Sequence, residues 1–242
     1  MTQAIIDGDI LLYRTGYASE NDSEGIARSR MQTTLENILE AVQATSYRIF
    51  LSDSKGNFRL QLFPRYKANR TAPKPKHHDF LSNEIVKPPF NAEIAWGEEA
   101  DDALGIHQND NTVICSIDKD LYQISGQHYN WVKGVYRTVS KSEAIYRFYH
   151  QLLVGDSTDN ITVKEGLSCP GIGPEKAFKA LEGCTTEETY LKTIRNLYYE
   201  ILNKDFHPNV IEDRITLTGQ LVYVRKKEGE IWNPEMSFFD AE

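Results

Sequence analysis

The side chains here whose types and spacing could do chemistry are carboxylates. Asp7, Asp53 and the pair Asp118 and Asp120 each follow an apolar run: AII before Asp7, YRIFL before Ser52-Asp53, TVICSI before Asp118. Glu98, Glu99, Asp101 and Asp102 fall within five residues at the start of a helical stretch, and Asp156 and Asp159 stand three apart after Gly155. One Asp after a strand is ordinary turn chemistry. An acid or two in a first helical turn complements the helix dipole, by about 0.3–1 kcal/mol each. Four acids so close also repel one another, and bound cations relieve that repulsion. Carboxylates without clustered His or Cys select hard cations, Mg²⁺ or Mn²⁺, over zinc. The six histidines show no ligand spacing. Two such ions about 4 Å apart are a recurrent device for in-line phosphodiester cleavage.

The cations are segregated from these acids. Arg65, Lys67, Arg70, Lys74 and Lys76 lie between Pro64 and His78 with no acid among them. A net charge of −8 at first counts against a polyanionic partner. An acidic total with a basic island nevertheless suits a protein that holds metal ions in one place and phosphate beside it. The bland alternative is a solvated acidic surface with a flexible basic loop, and composition alone slightly favours it. No apolar run approaches the roughly 20 residues of a membrane span, and the N-terminus lacks the basic region of a signal peptide. Three cysteines, Cys115, Cys169 and Cys184, without zinc spacing point to free thiols in a reducing compartment.

The acids need elements to hold them. Ala4–Ile6, Tyr47–Leu51 and Thr112–Ile117 read as buried strands, each ending at an acid. Carboxyl ends of parallel strands share one edge, where ligands bind, so acids at three such ends should meet. Helices are expected from about Ile10, through Met31, Leu35, Ile38, Leu39 and Val42, and from about Glu98. His128–Val139 reads as a hairpin around Lys133-Gly134, and Ser140 with Glu143 caps a further helix. Another helix is expected over Gly171–Leu181, and one capped at Thr185 with Glu188. Phe63–Trp96 carries five prolines and should be an excursion, partly helical near Asp79–Val86. Residues 205–234 resist assignment. The alternation of strand and helix predicts an α/β fold with a mostly parallel central sheet.

Five features, in order, resemble the 5′-nucleases of the flap endonuclease superfamily. They are IIDGD, SD followed by NFR, YKANR, EEADD with SIDKD, and GDSTDN followed by CPGIGPEKA. The likeness runs from about residue 4 to 183, and the stand-alone format is most similar to exonucleases of tailed phages. The resemblance implies a PIN-like nuclease core over 1–160, with a helical arch at about 63–96. A helical duplex-binding motif and a C-terminal segment packed on the core would occupy 161–242. It implies Mg²⁺ or Mn²⁺ as two ions, held by Asp7, Asp53, Glu99, Asp101 and Asp118, with Asp120, Asp156 and Asp159 completing the cluster. Asp102 matches an acid of the phage and bacterial members; Glu98 does not match and is expected to be solvated.

YKANR fits the family's phosphate-grasping segment, with Lys67 and Arg70 on one helix face neutralising the scissile phosphate. Tyr66 would pack there or touch substrate. Tyr13 matches an aromatic that stacks on a terminal base, with the apolar face of the first helix as its alternative, and Arg14 is a phosphate candidate. Gly171, Gly173 and Lys176 lie in a segment similar to the family's helix–turn–helix motif, whose carbonyls hold K⁺ in some relatives. The implied activity is 5′→3′ exonuclease or flap endonuclease cleavage of DNA to 5′-phosphate products, in replication, primer removal or host DNA degradation. Duplex with a 5′ end, flap or single-strand junction is the implied partner, and RNA–DNA hybrid a further one. A monomer in the cytoplasm is expected, the host's if a phage encodes it. Two rivals share the scaffold. A PIN-type RNase would share the acids but usually lacks the basic segment and PGIG. A silent duplex-binding protein would bind without metal and release no product.

Overall fold

The apolar runs that end in acids become the middle of one sheet. β1 (Gln3–Asp7), β2 (Ser46–Ser52), β3 (Glu93–Ala95), β4 (Thr112–Cys115), β5 (Gly126–Asn130) and β6 (Val135–Val139) pair in the order β3-β2-β1-β4-β5-β6. Every pairing is parallel except that of β5 with β6. Ile6 stands opposite Ile49 of β2 and Cys115 of β4, so the carboxyl ends of the three strands share an edge. β4 is buried along its whole length and β1 nearly so, as expected of strands covered on both faces.

The computed structural model describes residues 2–235. They form two compact units: the first holds the residues up to 58, 72–140 and 224–228, the second 59–71, 141–223 and those from 229 on. This grouping cuts the chain differently from a linear division near 160. The first unit contains the sheet with α1 (Gly8–Ala18), α2 (Glu24–Ala41), α4 (His78–Ile85) and α5 (Ala100–His107). Met31, Leu35 and Ile38 make the buried face of α2, as their spacing predicted. The segment 63–96, expected to leave the core, divides between the units. Leu81 and Ile85 of α4 are fully buried and join the core of α1 and α2. Prolines break a helix only locally, and an i, i+4 apolar pair between them still makes a packing face.

The second unit is helical: α6 (Lys141–Val154), α7 (Pro174–Leu181), α8 (Glu187–Leu202) and α9 (Pro208–Val222), with the short α3 (Phe58–Leu62) from Arg59 on and the residues that follow it to Thr71. Tyr66, Phe148, Tyr149, Ile194, Tyr198, Ile215 and Trp232 share its core. The cap expected at Thr185 with Glu188 falls one residue later. Thr186 Oγ1 accepts the Thr189 N–H at 3.3 Å, and Thr189 Oγ1 accepts the Thr186 N–H at 3.1 Å. A Thr hydroxyl can close the reciprocal box from shorter range than a Glu. The unassigned 205–234 contains α9, which starts at Pro208 and is capped by His207 Nδ1, accepting the Asn209 N–H at 3.3 Å. Its last carbonyls are held by buried Arg59, which donates to Leu221 O at 2.9 Å and Tyr223 O at 2.5 Å.

Candidate active site

In the first unit the edge of the sheet is organised around Asp7. Its backbone ends β1 and its Oδ1 caps α1, accepting the Ile10 N–H at 3.0 Å. Ser116, at the end of β4, donates its hydroxyl to Asp7 Oδ2 at 2.8 Å and accepts the Asp118 N–H at 3.1 Å. Asp7 is 2% exposed. Burial, then the negative charges of Asp9 and Asp118, push its carboxyl up to about 7, against the lowering effect of Ile10 and Ser116. The structure thus brings Asp7, Asp9 and Asp118 into one field. Asp9 and Ser116 were missed in the sequence. The signal for Asp9 was available: it lies two residues past Asp7, in the first turn of a helix that begins at the sheet edge. The carboxylates around Asp7 offer only oxygen, and a cation there would offset the negative charge that burial and the neighbouring acids disfavour, so the donor type fits a hard divalent ion.

The remaining acids of this unit reach the same edge but turn to backbone donors. Asp53 accepts the N–H groups of Gly56 at 2.8 Å, Gly97 at 3.1 Å and Lys55 at 3.1 Å, which hold its carboxyl below its ordinary range. Asp118 Oδ1 accepts the Asp120 N–H at 2.8 Å, where Asp120 opens a single 3-10 turn. Glu99, buried, is the N-cap of α5, and Asp101 lies half-buried in its first turn. Asp102, expected among the metal ligands, is fully buried with both oxygens on N–H groups: Glu99 at 3.1 Å and Arg225 at 3.0 Å. Glu98 is not solvated as expected. It pairs with Arg225 at 2.6 Å, and both side chains are largely buried. No local pattern could reveal that partner, 127 residues away. Among the described residues, no three His, Cys, Asp or Glu side chains converge closely enough to hold an ion together. Shared strand ends place acids on one edge; side-chain hydrogen bonds decide where each carboxylate points.

Tyr13 is half-buried on α1, against the core and edge-on to His78 with ring centroids 5.1 Å apart. Arg14, one residue on, is exposed.

In the second unit Asp159 gathers the basic segment. Tyr66 donates its hydroxyl to Asp159 Oδ2 at 2.8 Å, the Lys67 ammonium lies 3.6 Å from the same oxygen, and Arg70 pairs with Oδ1. The Lys67 N–H also donates to the Asp159 carbonyl at 3.0 Å. Lys67 and Arg70 do not lie on a helix face, as was expected. Residues 64–69 are turns, with Lys67 itself at φ +56°, and the two cations are joined by a shared acid instead. Tyr66 is 4% exposed, so its ring packs in the core while its hydroxyl reaches the ion pair. Asp156 Oδ1 accepts the Thr158 N–H at 2.7 Å, closing the turn between the bridged residues Asp156 and Ile161. Gly171 adopts φ +71°, which permits the tight loop into α7, and Gly173 caps that helix. The Gly171 carbonyl, in the loop expected to face K⁺, accepts the Lys176 ammonium at 3.0 Å.

Comparison with known proteins follows the same lines. The family model described as the 5′-3′ exonuclease, N-terminal resolvase-like domain matches residues 2–152. A 5′-3′ exonuclease of Buchnera aphidicola subsp. Schizaphis graminum is 29% identical over 229 residues, covering 81% of this chain and 73% of the relative. That of Buchnera aphidicola subsp. Acyrthosiphon pisum is 30% identical over 185 residues, covering 65% and 63%. Among solved structures, the T5 5′-exonuclease with bound zinc superposes with a TM-score of 0.67 at 18% identity, covering 92% of this chain and 89% of that one. The bacteriophage T5 flap endonuclease in a pseudo-enzyme–product complex with DNA and metal ions gives 0.63 at 18% identity, covering 92% and 86%. At such identities the two structures speak for the fold.

Proposed function

Since the chain belongs to the 5′-3′ exonuclease family and is a nuclease by that membership, we propose that it is a divalent-metal-dependent 5′-nuclease acting on DNA. It would cut phosphodiesters near a 5′ end, as exonuclease or flap endonuclease, leaving 5′-phosphate and 3′-hydroxyl products. The observation that carries this reading is Asp7: a carboxylate at a strand end, raised by burial and then by Asp9 and Asp118, and fixed by two hydrogen bonds. A divalent ion held by Asp7 and Asp118 would supply Lewis-acid polarisation of the phosphodiester and activation of water. The chain's own part is to orient. The α1 N-terminus and Ser116 lock both Asp7 oxygens, and Ser116 ties the backbone of Asp118 to the same position. Lys67 and Arg70, exposed enough to exchange Asp159 for phosphate, would hold the nucleic-acid backbone by charge-assisted hydrogen bonds. The relatives' DNA and divalent ions support the substrate and the metal class.

The test is cleavage of 5′-labelled duplex and flap substrates in Mg²⁺ or in EDTA, by the wild type and by Asp7→Asn and Asp118→Asn. Asn keeps the oxygen that caps α1, so the fold should persist while cleavage is lost. EDTA-resistant cleavage, or full activity of Asp118→Asn in Mg²⁺, would sink the reading.

A further inference from the structure

A cleft of about 320 Å³ opens in the first unit between α1, α2 and the residues that follow β5. Its volume lies near the lower end of small-molecule sites, about 300–1,000 Å³, which suits a small ligand and not a duplex. Buried Leu11, Ile38 and Tyr129 form an apolar floor. Around them stand Arg14, Asn37 and Trp131, which among the described residues engage no hydrogen bond or ion pair. In a chain of net charge −8, the lining contains two arginines and no acid. Arg30, the other arginine, is already held by Asp22 at 2.9 Å. The cleft therefore offers one uncommitted guanidinium, one amide and one indole N–H beside an aromatic and aliphatic surface. Those groups ask for a ligand that is anionic at one end and planar and apolar at the other.

We propose that this cleft binds a nucleoside monophosphate, its phosphate on Arg14 and its base against Trp131. The ligand class follows from the cleft's chemistry. Only its source, the mononucleotide that an exonuclease releases, rests on the nuclease reading above. Guanidinium binding of phosphate is charge-assisted, and an indole face stacks on any base. The site would therefore take all four nucleotides and prefer none strongly.

The experiment is a titration of the intact ¹⁵N-labelled protein in EDTA, without DNA, with deoxynucleoside 5′-monophosphates. The chain has three tryptophans, so the Trp131 indole resonance is assigned from Trp131→Phe, with exposed Trp96 and buried Trp232 as internal references. Saturable movement of the Trp131 signal alone is expected. At least tenfold weaker binding is expected for Arg14→Gln, for the free nucleoside and for ribose 5-phosphate. Arg14 and Asn37 are exposed, so substitutions there leave the fold intact. An unmoved Trp131 signal, or an Arg14→Gln affinity equal to wild type, would overturn the site. In a second arm, duplexes with and without one unpaired terminal nucleotide compete with the mononucleotide. Displacement by the overhang alone would mean that the cleft takes a chain end, which overturns the free nucleotide as occupant; no displacement supports it. Binding in EDTA is independent of cleavage, so it can succeed where the nuclease reading fails, and the reverse.

Discussion

Asp102 separates a ligand role from a structural one, and its replacement by Ala gives a sharp test. The side chain is fully buried and accepts two backbone N–H groups, from Glu99 at 3.1 Å and Arg225 at 3.0 Å. One bond closes the first turn of α5; the other fixes residue 225 to it. A hydrogen bond to a charged group contributes about 1.5–3 kcal/mol, and a stranded buried N–H has no water to turn to. Two such bonds put the loss for Asp102→Ala at about 3–6 kcal/mol. Asp102→Asn keeps one acceptor oxygen but sets an NH₂ against the other donor, so it should lose roughly half of that or more. Urea unfolding followed by circular dichroism measures the loss, and Mg²⁺ titration by calorimetry is run on the same variants. Metal affinity should stay within about twofold of wild type, because Asp102 ties α5 to residue 225 and is not among the charges that act on Asp7, which are Asp9 and Asp118. A loss under about 1 kcal/mol would refute the reasoning. So would a tenfold drop in Mg²⁺ affinity with an unchanged urea midpoint, which would return Asp102 to the ligand set.

Three further outcomes are expected. Gly219→Ala places a methyl against the buried Trp232 ring inside α9, and overpacking of that kind costs about 1–3 kcal/mol; an unchanged thermal midpoint would contradict the packing. Lys67→Ala and Arg70→Ala should each weaken DNA binding across all sequences and reduce the slope of log affinity against log salt by about 1. A slope that does not move would remove them from phosphate contact. Glu93 is held below its ordinary 4.5 by Arg48, with the bonded nitrogen 2.7 Å away. A depressed carboxyl contributes stability above about pH 4.5 and loses it as pH falls through the folded value. The pair is more than a third exposed on the Glu93 side, so Glu93→Gln should cost no more than about 1 kcal/mol at pH 7. The cost should vanish in acid; a difference that persists there would contradict the assignment to the ion pair.

The sequence by itself determined the sheet's central strands, the helices of the first unit, and the fact that acids stand at strand ends. These are local properties: apolar runs set strands, a 3.6-residue period sets α2, and the residue after a strand must lie at the sheet's edge. It also marked the hairpin at Lys133-Gly134, realised as β5 and β6. What each carboxylate does at that edge was decided by tertiary structure. Asp7 is fixed by the Ser116 hydroxyl, 109 residues away, and its carboxyl is raised by burial and by the charges of Asp9 and Asp118. Asp102 and Glu98 were drawn to Arg225, and Lys67 and Arg70 to Asp159. The segment 72–96 became core through Leu81 and Ile85, and α9 emerged from residues without a motif. A hydrogen-bond partner a hundred residues distant leaves no trace in local spacing. Sequence therefore fixes where a charged group begins, and the fold fixes what it touches.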